Sequence, residues 1–150
     1  MKTTYMKILP LLISLGLWLP FSSSAEQAVG FGKYTVHYSA IETTFLSPKI
    51  ANDYGIKRSR NSIMLNISVL EKMGKGVQKP IRADVWVTAT NLTGQLKQIS
   101  IRPISEGEAI YYIGELFVTD KETLDFTAKV QPNGEQETFT LQFRQQFFTR

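Results

Sequence analysis

The stretch LDFTAKVQPNGEQETFTLQFR, residues 124 to 144, decides the fold class. Leu124, Phe126, Ala128 and Val130 alternate with Asp125, Thr127 and Lys129. Beyond PNG at 132 to 134, Phe139, Leu141 and Phe143 alternate with Thr138, Thr140, Gln142 and Arg144. Successive side chains of a strand point to opposite faces, so a period of two marks strands with one buried face each. Asn133-Gly134 between two such runs is the strongest short-range hairpin signal. A hairpin with one apolar face needs a second layer to cover it.

The same period extends toward the N-terminus. Tyr34, Val36 and Tyr38 share one face; Ile63, Leu65, Ile67 and Val69 share another; Ile81, Ala83, Val85, Val87 and Ala89 a third. Ile99 and Ile101 form a shorter run, and AIYYIGELFV at 109 to 118 is apolar on both faces, as expected of a strand covered on both sides. MGKG at 73 to 76, NLTG at 91 to 94 and SEGE at 105 to 108 supply turns. About seven strands at this spacing predict a single all-β, immunoglobulin-like antiparallel sandwich. One helical corner is expected near residues 47–55, with Ser47 as cap, Pro48 at the first position and Gly55 as the stop. The apolar parity slips at Ala40-Ile41, which predicts a bulge or a change of sheet there.

The chain opens differently. Lys2 and Lys7 precede the apolar run ILPLLISLGLWL at 8 to 19, and small residues follow, with Ser23 and Ala25 at the positions a signal peptidase reads. This predicts a secretory signal over 1–25, cleaved after Ala25, a single domain over 26–150, and a periplasmic protein with no stable membrane anchor after cleavage. The run falls short of the ~20 residues a spanning helix needs. Cleavage would remove Lys2 and Lys7, leaving 15 of the 17 basic residues against 13 acids, about +2. That balance gives no reason to expect a nucleic-acid partner. With no cysteine, the domain is held by its core alone even in an oxidising compartment.

Catalytic patterns are sparse. One histidine and no cysteine rule out the common multi-histidine and thiolate metal sites, so no metal or cofactor is expected. A serine triad would rest on His37, whose face also carries Ser39, but no Gly-x-Ser-x-Gly sequence accompanies them. GKG at 74 to 76 lacks the rest of a phosphate loop. Glu106 and Glu108 flank Gly107 and read first as turn residues. Trp86 falls on the polar parity of its strand with Arg82, Asp84 and Thr88, either covered by a loop or an arginine stem or serving as an aromatic anchor for a partner.

If consecutive strands are antiparallel, the 47–60 corner, the 91–95 loop and residues 120–122 share one end of the sandwich. Tyr54, Arg58, Arg60, Asn91 and Gln95 are then the candidate interaction surface, with His37, Ser39 and Trp86 as secondary candidates. The plain alternative makes Tyr54 a packing residue and pairs the arginines with acids such as Asp53 or Asp120. The expected function is a non-catalytic binding module of the cell envelope, its partner a protein or envelope component. The alternatives are a small hydrolase using His37 or carboxylates, and an assembly factor that accepts a strand at a sheet edge, for which QETFTLQFRQQFF at 136 to 148 is suited.

YTVHYSAIETTFLSP, NDYGIKRSR, LNISVL, ATNLTGQ and EAIYYIGELF, in that order, resemble the bacterial DUF4426 family from about Tyr34 to Phe148. The resemblance implies a small exported protein with an immunoglobulin-like sandwich and no established activity. It marks His37, Ser39, Thr44, Tyr54, Gly55, Arg58, Ser59, Asn91, Leu92, Gly94 and Gln95 as family-typical and assigns none of them a role.

Overall fold

The computed structural model describes residues 27–150; the expected signal sequence and its cleavage site lie outside them. The described residues form an immunoglobulin-like sandwich of two antiparallel sheets. The strands are β1 (Gln27–Phe31), β2 (Tyr34–Glu42), β3 (Ser62–Lys72), β4 (Gln78–Pro80), β5 (Ala83–Asn91), β6 (Leu96–Ile99), β7 (Ile101–Glu106), β8 (Ala109–Phe117), β9 (Thr123–Pro132) and β10 (Phe139–Gln146). The first sheet runs β1-β2-β3-β8-β7, with β4 also on β3; the second runs β10-β9-β5-β6. The alternation fixes the core: Val36, Leu65, Ile67, Val69, Val87, Leu124, Phe126, Ala128 and Val130 all point between the sheets and are buried. The hairpin of β9 and β10 pairs Phe143 with Phe126, and their rings stack at 4.6 Å.

Three sequence expectations change. Asn133-Gly134 does not form a two-residue loop. Asn133 and Gly134 are the central residues of a turn closed by the Glu135 N–H on the Pro132 carbonyl at 3.0 Å, with Gly134 at φ +87°, but the Asn133 N–H goes to the Arg82 carbonyl at 2.9 Å and the pairing of β9 with β10 begins only at Phe139. The sheet change does not fall at Ala40-Ile41, because β2 pairs with β3 in one unbroken register from Tyr34 to Glu42. Ile41 simply faces outward onto a second apolar cluster. The change of sheet falls at Ser100 instead: β6 pairs with β5, and one residue later β7 pairs with β8 in the other sheet. The run read as one strand around Ile99 and Ile101 therefore belongs to both layers.

The corner between β2 and β3 is a 3-10 turn at Thr43–Phe45 followed by helix α1 (Pro48–Asp53). Ser47 caps α1, its Oγ accepting from the Ile50 N–H at 3.2 Å, and Gly55 ends it at φ +64°. Buried Thr43 pins the corner: its Oγ1 accepts from the Ser59 N–H at 2.9 Å and donates to the Ser59 carbonyl at 3.0 Å. The corner folds back over the outer face of the first sheet, where Leu46, Ala51 and Ile56 bury Met64 and Ile113. That cover is the reason β8 is apolar on both faces.

Candidate functional site

Beneath the corner lies a cleft of about 430 Å³, lined by Ser39, Ile41, Tyr54, Met64, Asn66, Glu106, Tyr111 and Ile113. Neighbouring strands assemble it. Ser39 and Asn66 are cross-strand partners on β2 and β3, and Asn66 is opposite Ile113 on β8. Tyr54 closes one side. Its hydroxyl donates to Glu106 Oε2 at 3.0 Å, and its carbonyl accepts from Arg102. Burial and the neighbouring Glu106 carboxylate push the Tyr54 phenol above its ordinary range, so it stays a donor.

The unusual group in the cleft is Asn66. Its Oδ1 is buried and accepts no hydrogen bond. Buried polar atoms are nearly always paired, and an orphaned acceptor in an apolar wall costs about 1–3 kcal/mol. Tyr54 and Glu106 bring oxygen to the cleft, over a floor of Ile41, Met64 and Ile113, and Asn66 lines it with its Oδ1 closed off from solvent. Such a lining suits a small molecule that offers N–H or O–H donors on one side and an apolar body on the other.

The expected end surface is only partly assembled. The Arg58–Asn61 connection, the 91–95 loop and residues 118–122 do share an end: Asn61 Nδ2 donates to the Val118 carbonyl at 3.1 Å, and Asn91 pairs with Leu124 at the start of β9. Tyr54 is not there, because α1 carries it across the sheet face to Glu106. Arg58 donates to the Thr44 carbonyl at 2.8 Å and ties the corner together, while Arg60 is exposed. Neither expected acid takes them: Asp53 pairs with Lys49 at 2.5 Å and Asp120 with Arg150 at 3.1 Å. Asn91 and Gln95 act on their own loop. Asn91 Oδ1 accepts from the Thr93 and Gln95 N–H groups, and Asn91 Nδ2 donates to Gln95 Oε1 at 3.2 Å.

Of the secondary candidates, Ser39 lines the cleft and His37 does not; His37 is half-buried on β2, opposite Ser68 and Ala28. Trp86 is 52 % exposed on the outer face of the second sheet, uncovered by any loop, where it borders a shallow cleft of about 740 Å³ with Thr88, Thr127 and Lys129. Glu106 and Glu108 part company: Glu106 ends β7 at the cleft, and Glu108 is exposed in the turn. Asn66, Tyr111 and Met64 were missed as site residues. Asn66 reads in the sequence only as a polar residue alternating with Leu65 and Ile67, since nothing local announces that a distant corner will cover its face.

The family model "Domain of unknown function (DUF4426)" matches residues 28–150. The chain belongs to the DUF4426 family. A DUF4426 family protein from Pseudomonas aeruginosa, solved by crystallography, is 34 % identical with a TM-score of 0.71, covering 82 % of this chain and 94 % of its own. FetP of uropathogenic Escherichia coli, recombinantly expressed in the periplasm, is similar at 11 % identity and TM-score 0.59, covering 83 % of this chain and 94 % of its own. A copper-bound variant of FetP aligns at 11 % identity and TM-score 0.57, covering 82 % of this chain and 95 % of its own. At that identity FetP shares the fold. Among curated proteins no sequence matches.

Proposed function

We propose that this DUF4426 protein is an exported, periplasmic binding module of the cell envelope, and that its site is the cleft under the 43–57 corner. The observation that carries the reading is the buried, unpartnered Asn66 Oδ1 in a cleft otherwise bounded by Tyr54, Glu106 and apolar residues. A ligand donor met by a turn of the Asn66 side chain into the cleft would satisfy that oxygen and recover the cost of burying it. The periplasmic setting is supported by the N-terminal sequence pattern and by the likeness to FetP.

The copper of the FetP variant does not carry over. No group of three or more His, Cys, Asp or Glu among the described residues could hold a metal ion. A non-catalytic role fits the cleft better than hydrolysis. It contains one carboxylate, Glu106, without Glu108, and His37 is not in its lining.

Native mass spectrometry of the protein released from periplasm tests the reading. The wild type should carry a small bound species that Asn66→Leu lacks. Equal occupancy of the two proteins, or a species on neither, would remove the cleft as the site.

A further inference from the structure

Where the chain changes sheets at Ser100 it leaves one rung of the second sheet unfilled. β9 accompanies β5 over its whole length, from Ala83 to Asn91, but β6 reaches only Val87, opposite Ile99, before the chain crosses over. Backbone parity tells which groups are left. The Asn133 N–H bonds the Arg82 carbonyl and the Asn91 N–H bonds the Gln95 carbonyl. Even-numbered residues of β5 therefore direct their N–H and C=O at β9, and odd-numbered ones at β6. Val87 meets Ile99, and the Ala83 N–H is taken by the Tyr112 hydroxyl at 2.6 Å. Val85, between them, turns its N–H and C=O into the gap.

The gap opens into the cleft of about 740 Å³ that Trp86 borders. Trp86 stands beside Lys129 across the ladder, and Thr88 stands between Thr127 and Gln98. These five side chains share the outer face. Trp86 is the one aromatic side chain on it; the outward positions of β9 and β10 are all Thr, Gln, Asp, Lys or Arg.

We infer that this cleft is a saccharide site. A sugar ring matches both parts of the lining: one face of C–H groups to lie on the indole, and a rim of hydroxyls that each donate and accept. Two neighbouring hydroxyls would meet the Val85 N–H and C=O, and others would reach Thr88, Gln98, Thr127 and Lys129. The size of the gap excludes a strand as the occupant. An added strand needs successive rungs of one edge, and here a single rung is open, closed by Tyr112 on one side and by Ile99 on the other. The face also lacks the apolar surround in which an aromatic protein contact is buried, since the outward neighbours of Trp86 along and across the ladder are Asp84, Thr88 and Lys129. The site lies on the opposite sheet from the cleft that contains Asn66 and does not rest on it.

The test begins with an array of bacterial envelope oligosaccharides, peptidoglycan fragments included, probed with the protein through a terminal tag. The sugar held most tightly is then titrated by calorimetry and by amide exchange in NMR. Trp86→Ala, at an exposed position, should weaken that sugar by at least about tenfold, Trp86→Phe, which keeps a ring, by less, and Thr88→Val by about threefold. Asn66→Leu, on the other sheet, should leave its affinity unchanged. In the free protein the Val85 N–H should exchange at least about tenfold faster than the Val87 N–H, and bound sugar should slow it by a similar factor. No array sugar held more tightly by the wild type than by Trp86→Ala would overturn the inference. So would a Val85 N–H that is already protected in the free protein or that bound sugar leaves unchanged.

Discussion

Gly114 has an ordinary backbone and still tolerates no side chain. An added Cβ would stand 2.5 Å from Ile99 Cγ2, 2.7 Å from Ile101 Cδ1 and 3.3 Å from the Ser100 carbonyl. The strand that changes sheets at Ser100 passes directly over it. Gly114→Ala should therefore lower stability by about 1–3 kcal/mol through overpacking, read as a shift in urea midpoint at unchanged slope. Asn66 predicts the reverse. Asn66→Leu removes an acceptor that has no partner, so the empty protein should be as stable as wild type or gain up to about 1 kcal/mol in the same measurement, even as ligand is lost. A clear destabilisation would mean that Asn66 serves the fold. Both residues show where reading by residue ends. Gly114 looked like one more small residue in an apolar run, and Asn66 like one more polar residue on an outward parity. What makes each matter comes from segments dozens of positions away.

Elements were more legible than residues, because a strand writes its own period. The runs at 34–42, 62–72, 83–91, 109–117 and 123–132 fold as strands with the faces their alternation gives. β1 and β4 were not foreseen: five and three residues are too short to establish a period, and their partners lie elsewhere in the chain. The corner was recognised from Ser47, Pro48 and Gly55, but its direction depends on Thr43 bonding Ser59 and on the apolar face of Met64 and Ile113, so Tyr54 was placed with the wrong neighbours. The 91–95 loop is held by Asn91, which also reaches the Glu122 carboxylate. Asn91→Ala should cost about 1 kcal/mol by removing the acceptor for two loop N–H groups, measurable by thermal unfolding. Beside that loop, Lys97 meets Glu122 at 2.7 Å, with both side chains largely covered. Burial pushes the Glu122 carboxyl up, but Lys97, the Thr119 N–H and Asn91 outweigh it and hold the group below the usual glutamate value. A lowered folded-state pKa contributes stability above the unfolded value, lost as pH falls through the folded one. The stability gap between wild type and Lys97→Met should thus be full at pH 7 and shrink below about pH 4, in urea titrations at both conditions.

At the scale of the molecule, the all-β class, the two-layer architecture and the family were all readable, since each rests on patterns repeated along the whole chain. The unequal width of the sheets was not, because the strand that creates it is the one the periodicity was too short to reveal. The segment around Ser100 has a further bearing on how this domain comes apart. In many sandwiches the layers are joined only by loops, and one layer can loosen while the other persists. Here β6 and β7 are a single run of backbone laced into both, with Ile99 and Ile101 packed over Gly114 at the crossing. Neither layer can slide against the other, or peel away, without tearing hydrogen bonds from both. A chain with no disulfide thus carries its own cross-brace, and its denaturation should be one all-or-none event, with calorimetric and van't Hoff enthalpies equal. A calorimetric enthalpy well above the van't Hoff value would show that the layers fail separately.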